Sequence, residues 1–261
     1  MSNLVLGTSI GYNAEQLEPF AKSLRKYYDG HIAMVVKNVD ENLQSFFDKY
    51  NIETFNIFED YNHDQICNLR HKFYQEILEN NFLDVSKIFI CDTRDVVFQA
   101  DPFEHEMTTE LEFFLEMHHY KNCDCNTWWL KGGYPGAYGE AVFNQIGDNY
   151  IICAGTTMGI RTGIIKYVDE MVKELNRILI EKNCYVTDQP THGYLIYNGV
   201  FPSYKLYHTG QGPISTMNRY DNMKFDDNGN LLNFDGSICP IVHQWDRTGD
   251  KKDIFYKKAM E

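Results

Sequence analysis

Short apolar runs rich in β-favouring residues alternate with helical stretches through the first part of the chain. NLVLGTSIGY, HIAMVVKN, IETFNIF and KIFIC are separated by segments whose apolar residues recur at helical spacing. Leu17, Phe20, Ala21, Leu24 and Tyr28 make one such stripe, DENLQSFFDKY opens a second helix behind an Asp cap, and Ile66, Leu69, Phe73 and Ile77 mark a long helix over about 64–80. This rhythm predicts an α/β fold with a mixed, mostly parallel central sheet flanked by helices. Such sheets take ligands at the carboxyl ends of their strands. The fourth strand, over 87–91, runs into DTRDVVFQADPF, so Asp92 and Asp95 stand at such an end.

After the aspartates the rhythm changes. LEFFLEM reads as a strand and TWWLKGGYPGAYGEAVFNQ as a glycine-rich, aromatic connection too irregular for a core helix. YIICAGTTMGI reads as a strand and turn, and Ile164, Val168, Met171, Val172, Leu175 and Leu179 form one face of a long helix. A short apolar helix at TDQPTHGYLIY, small strands at YKLYH and LLNF, and CPIVHQWDR follow. The tail DKKDIFYKKAME reads as a solvated, lysine-rich end.

A chain of 261 residues is long enough for one large domain with a full core. With no repeat, low-complexity tract or linker, the expectation is a single domain over 1–261. The formal net charge of −13 argues against duplex nucleic acid as a partner. A small anionic ligand requires a metal ion or local cations to offset that field. Seven scattered cysteines, an odd number, fit a reducing compartment better than a disulfide scaffold, and the expected location is cytoplasmic. Cys123-Asp124-Cys125 lacks the partners of a zinc site. The start of the chain shows no basic segment ahead of its apolar run, and no stretch reaches the roughly 18 apolar residues of a membrane span.

Two carboxylates three residues apart across a tight turn can converge on one divalent cation, and hard oxygen ligands suit Mg²⁺ or Mn²⁺. The alternative is that Asp92 caps a turn and Asp95 pairs with Arg94 or a lysine. Phosphatases that pass through an aspartyl-phosphate also place two aspartates after an apolar strand, the second two positions on; here Arg94 holds that position. His243 follows a short apolar strand, where it is either a third ligand or a histidine satisfied in the core. In CAGTTMG, small residues let a ligand approach the backbone, with Thr156 or Thr157 bonding sugar hydroxyls, or they simply make a turn. Asp188 is an N-cap or an active-site carboxylate, and Arg70 either reaches a phosphate or lies on a solvated face. Trp128, Trp129, Tyr134 and Tyr138 suit stacking on a sugar ring or plain burial.

The order GTS, DTRDVVFQADPF, CAGTTMG, TDQ and HQWDR resembles a GT-A-fold (Rossmann-like), nucleotide-sugar-dependent glycosyltransferase, with a small second β element beside the main sheet. Sequences of the DTRDVVFQADPF type occur in such enzymes of bacteria, plants and large DNA viruses. The resemblance implies a nucleotide-binding half over about 1–100 and a donor-sugar and acceptor half over about 101–261. It implies Mn²⁺ or Mg²⁺ on Asp92 and Asp95, with His243 as the further ligand of the glycogenin-like branch. Gly7, Thr8, Ser9, Arg70, Asp92, Thr93, Arg94, Ala154, Gly155 and Thr156 would hold the nucleotide sugar, a UDP-sugar by family habit. Asp188 and Gln189 would face the reacting centre, and Trp128, Trp129 and Trp245 a carbohydrate acceptor. The usual motif is Asp-x-Asp, whereas this chain has Asp-x-Arg-Asp; one aspartate would then bind metal directly and the other through water or the ribose.

The activity so implied is glycosyl transfer to a glycan or other hydroxyl acceptor. If the outcome is inversion, Asp188 is the expected general base; under retention, favoured by His243, Asp188 and Gln189 would steady an oxocarbenium-like transition state. The competing readings are a non-catalytic sugar-nucleotide or glycan-binding module and an aspartate-dependent phosphohydrolase.

Overall fold

The structure of the chain, a computed structural model, describes residues 2–131, 137–182, 188–218 and 220–261. The first four strands are β1 (Asn3–Thr8), β2 (His31–Val36), β3 (Glu53–Asn56) and β4 (Lys87–Asp92), with α1 (Ala14–Arg25), α2 (Glu41–Lys49) and α3 (His63–Asn80) between them. Then come β5 (Val96–Phe98), β6 (Leu111–His119), α4 (Asp124–Lys131), α5 (Glu140–Ile146), β7 (Tyr150–Ile160), α6 (Arg161–Lys182) and α7 (Asp188–Tyr197). The chain closes with β8 (Tyr204–Tyr207), β9 (Ile214–Thr216), β10 (Lys224–Phe225), β11 (Leu231–Leu232), β12 (Ile241–His243) and α8 (Lys252–Met260).

Each early helix begins where its sequence supplies a cap. Asn13 and Gln16 form a capping box at α1, Asn62 and Gln65 another at α3, and the Asp40 side chain accepts from the Leu43 amide at 2.8 Å at α2. The strands order as β3-β2-β1-β4-β7-β6-β8 in a mixed, mostly parallel sheet, in which β7 runs against both its neighbours. Strand alternation divides the core in two. Val5, Met34 and Phe89 face α1 and α2, while Leu4, Leu6, Ile88 and Ile90 face the apolar sides of α3, α6 and α7. Helices thus cover both faces of a sheet whose central strands are apolar on both sides.

A smaller sheet, β5-β12-β9, sits beside the main one and shares its core through Val96, Phe98 and Ile241. No helix among the described residues is long and apolar enough to cross a membrane.

Three local expectations are corrected. YIICAGTTMGI is one strand rather than a strand and turn, pairing with β6 at Tyr150 and Ile152 and with β4 and β6 from Thr156 onward. The tryptophan-containing connection forms α4 and α5, with Leu130 and Ile146 buried against Tyr120 and Ile151. Tyr134 lies outside the described residues. The lysine-rich tail is α8, docked on α1: Phe255 and Ala259 are buried with Val97, Met217 and Trp245, and Lys22 donates to the Met260 carbonyl. Its lysines hid a two-residue apolar stripe at i and i+4.

Phe255 is 1% exposed. Phe255→Ala is expected to cost about 3–5 kcal/mol of stability, read as a lower urea midpoint at unchanged slope.

Candidate active site

β1 and β4 end at the same edge of the sheet, with Thr8 opposite Asp92. The chain then turns sharply, and the Thr93 hydroxyl donates to the Thr8 carbonyl at 2.8 Å. Gly7 makes that turn possible, since a Cβ there would lie 2.3 Å from the Thr93 methyl. Asp95 leads into β5, which pairs antiparallel with β12 so that Val96 lies opposite His243. The Gln244 amide donates to the Asp95 carbonyl at 2.7 Å, fixing the two segments together.

The result is a compact trio, with Asp95 and His243 buried and Asp92 partly open. His243 Nε2 lies 3.5 Å from Asp92 Oδ2 and 3.7 Å from Asp95 Oδ1. One ligand atom from each residue falls within 4.8 Å of the others. On the far side of the ring, Cys153 Sγ stands 3.6 Å from Nδ1, leaving Nε2 buried and without a hydrogen-bond partner. Two carboxylates and an imidazole nitrogen directed at one point are a donor set suited to Mn²⁺ or Mg²⁺, and an orphaned buried nitrogen fits such an ion. Asp92 is the more open carboxylate of the two, with its side chain 36% exposed against 5% for Asp95.

β7 supplies the wall behind this trio. Between Phe113 and Leu115 of β6, a step of two residues is matched on β7 by a step of five, from Thr157 to Ile152. The irregularity brings Ala154 and Gly155 to the cleft. A Cβ on Gly155 would stand 2.5 Å from Asp92 Oδ2 and 2.9 Å from His243 Nε2. Gln189 stabilises the irregular segment, accepting from the Ala154 amide at 2.9 Å and donating to the Ile152 carbonyl at 2.6 Å.

Arg70 of α3 links the parts. Its guanidinium reaches Asp92 Oδ1 at 2.7 Å, Asp188 Oδ2 at 2.8 Å and the Ala154 carbonyl at 3.0 Å. It is therefore an internal tie rather than a solvated residue. Arg94 instead pairs with Asp246 at 2.6 Å, and Arg247 reaches Asp95 at 3.3 Å. Both of these arginines are about half-exposed on the cleft.

The electrostatics follow from burial and pairing. Burial opposes ionisation of Asp92, but His243 and Arg70 outweigh it and hold the carboxyl well below its usual range. Burial raises Asp95, with His243 opposing and Asp92 adding to the rise. Burial likewise raises Asp188, against the pull of Arg70. Burial disfavours the His243 imidazolium, yet the Cys153 side chain and the two carboxylates bring its pKa well above the usual histidine range.

A cleft of about 390 Å³ is lined by Thr8, Arg70, Asp92, Thr93, Arg94, Asp95, Ala154, Gly155, Asp188, Gln189 and Trp129 among the residues expected from sequence, while His243 is fully buried behind its wall. Ile10 and Tyr12 also border a second hollow of about 350 Å³, at the ends of β1 and β2, with Lys37, Asn38, Asp40 and Tyr61. Several expected residues lie elsewhere. Gly7 is engaged in packing against Thr93, and Ser9 is buried with its amide on the Val35 carbonyl. Thr156 and Thr157 are buried within the sheet, where β7 pairs with Cys91 and Ile90. Trp128 is 54% exposed and does not line the cleft. Trp245 is 9% exposed: the left-handed backbone at Gln244 (φ 58°) turns the chain so that the indole packs with Met217, Tyr220 and Phe255 under the small sheet. Tyr138 stacks on Tyr194 at 4.1 Å and bonds Glu174.

Sequence reasoning missed Tyr12, Glu116, Asn126 and Arg247 on the cleft wall. Arg247 had a visible signal in HQWDR; Glu116 and Asn126 sit in ordinary-looking strand and helix positions. Comparison with protein-family models and with curated proteins finds no match to this chain.

Two outcomes test the trio as a metal centre. Gly155→Ala should weaken Mn²⁺ binding about 10–100-fold, measured by electron paramagnetic resonance of the free ion, with the fold intact by circular dichroism. Against its burial, the Cys153 side chain and the carboxylates of Asp92 and Asp95 favour the protonated form of His243, so Mn²⁺ binding through Nε2 would displace that proton. Apparent affinity should therefore rise with pH, by up to about tenfold per unit between pH 6 and 8, and His243→Gln should flatten that slope.

Proposed function

We propose that this protein is a metal-dependent glycosyltransferase of the GT-A class, moving a sugar from a nucleoside diphosphate sugar, with UDP the favoured nucleotide, to a hydroxyl acceptor. The observation that carries the reading is the buried His243 Nε2, which makes no hydrogen bond and faces Asp92 and Asp95 at the strand ends of a mixed, mostly parallel sheet. The small sheet that brings His243 there is the kind of second β element the resemblance implies.

Asp92 and Asp95 through carboxylate oxygens, and His243 through Nε2, would hold Mn²⁺ or Mg²⁺. When bound, the ion supplies positive charge that stabilises a diphosphate leaving group. Arg94 and Arg247 add cations on the same wall, each now paired with a carboxylate, Asp246 or Asp95, that an anionic ligand would replace. The hollow at the ends of β1 and β2 has space and polar groups for a nucleoside, and Tyr12 joins it to the diphosphate end. At Ala154 and Gly155 the donor sugar can approach the backbone closely. Asp188 is fixed by Arg70 and by the Gln189 amide, which donates to Oδ1 at 2.8 Å. Its carboxylate thus lies ready to face positive charge developing at the anomeric carbon.

Thermal shift against nucleoside diphosphates and sugar nucleotides, with and without Mn²⁺, tests this reading. One sugar nucleotide should stabilise the protein by about 2.7 kcal/mol at a hundredfold excess over its Kd, only with metal present and not in Asp95→Ala. Absence of stabilisation by every nucleotide, with or without metal, would sink it.

A further inference from the structure

Cys123 and Cys125 lie at the start of α4, their Sγ atoms 3.2 Å apart. The Asn126 side-chain amide donates to Cys123 Sγ at 3.3 Å and approaches Cys125 Sγ at 3.8 Å. Cys125 is exposed, Cys123 half-buried, and both border the cleft together with Asn126 and Trp129. The Thr127 amide donates to the Cys123 carbonyl at 2.8 Å, so Cys123 stands at the N-cap of α4, where backbone N–H groups favour an anion.

The two thiols are not equivalent. Burial raises that of Cys123, but hydrogen bonds from Asn126 and Cys125 outweigh it and lower its pKa; burial and the neighbouring Cys123 raise that of Cys125. Elsewhere Cys91, Cys153 and Cys239 are buried and raised. Accessibility, a nucleophilic sulfur and a second sulfur within reach therefore coincide at one place.

We propose that Cys123 and Cys125 form a reversible dithiol–disulfide site that takes a small-molecule disulfide as its oxidant. The Cys123 thiolate attacks one sulfur of oxidised glutathione, forming a mixed disulfide and releasing one glutathione thiolate. The Cys125 thiolate then attacks the Cys123 sulfur, forming the intramolecular bond and releasing the second glutathione. Two protein thiols are oxidised by two electrons, one disulfide is reduced to two thiols, and the two protein protons pass to the leaving thiolates. Closing the pair from 3.2 Å to a bonded separation of about 2.0 Å requires the two Sγ atoms at the start of α4 to approach by about 1 Å. That segment leads directly to Asn126 and Trp129. On the transferase reading, on which this consequence alone rests, the linked form alters the acceptor side of the cleft while leaving the metal trio in place.

The test exposes the purified, reduced protein to oxidised glutathione and follows thiol loss with peptide mass mapping. The expected product is a Cys123–Cys125 link, formed at least about tenfold faster than any adduct at Cys67 and reversed by dithiothreitol. In Cys125→Ser the reaction should stop at a glutathione adduct on Cys123. A stable mixed adduct on the native protein without the internal link, or first reaction at Cys67 or Cys184, overturns the proposal. UDP and Mn²⁺ binding are measured on both forms. Failure to form the Cys123–Cys125 link with UDP–Mn²⁺ binding retained refutes the thiol site alone; an intact link in a protein that binds no nucleotide refutes the transferase alone.

Discussion

Arg70 is the interaction on which the site depends. Three carboxylates, Asp92, Asp95 and Asp188, converge at the ends of β4 and α7 in a poorly solvated region, and such a gathering repels itself unless cations are built into it. Arg70 bridges Asp92 to Asp188 with one planar group and adds the Ala154 carbonyl. His243 serves Asp95 and Asp92 from the other side. Removing one partner of a buried pair generally costs about 3–5 kcal/mol. Arg70 has two such partners, so the positions of α3, β4, β7 and α7 are coupled through it.

That coupling explains why the reversed strand matters. Were β7 parallel to β4, its chain would leave the sheet at the ligand edge; running antiparallel, it enters from that edge and passes Asp92 with backbone alone at Gly155. The mismatch with β6 loosens β7 where it passes, and Gln189 supplies from α7 the hydrogen bonds that the irregular segment needs. Sheet topology, a missing Cβ and an amide side chain together shape one wall.

The β-α alternation was readable because buried parallel strands and one-sided helices leave strong periodic traces, and capping residues mark their starts. Asp92 and Asp95 were readable from their place after an apolar strand, and His243 from its place after another. What failed was tertiary in origin. The small residues of β7 resemble a turn unless the strands on either side are known, and α4 shows too few apolar residues to display a period. Trp245 looks like a site residue by proximity to His243, but a single left-handed residue between them sends the two side chains to different places. For Arg70 the sequence left a ligand-gripping role and a solvated face both open, because it shows the helix but not the carboxylates arriving from residues 92 and 188.

The chain's acidity sharpens what the cleft must do. At a net charge of −13, the long-range field would repel a diphosphate, so on the transferase reading the attraction has to be local and short-ranged. Arg94 and Arg247 are the cations placed to provide it, and both are engaged, with Asp246 and Asp95. An arriving anion competes with those carboxylates for the same guanidinium groups. Arg94 occupies the position at which an Asp-x-Asp motif would carry its second carboxylate. A cation there exchanges one negative charge near the trio for a positive one, and Asp95, one residue on, would restore the second ligand. The Asp-x-Arg-Asp arrangement is thus coherent as chemistry: two carboxylates for the ion, and between them a cation for the phosphate that the ion would share.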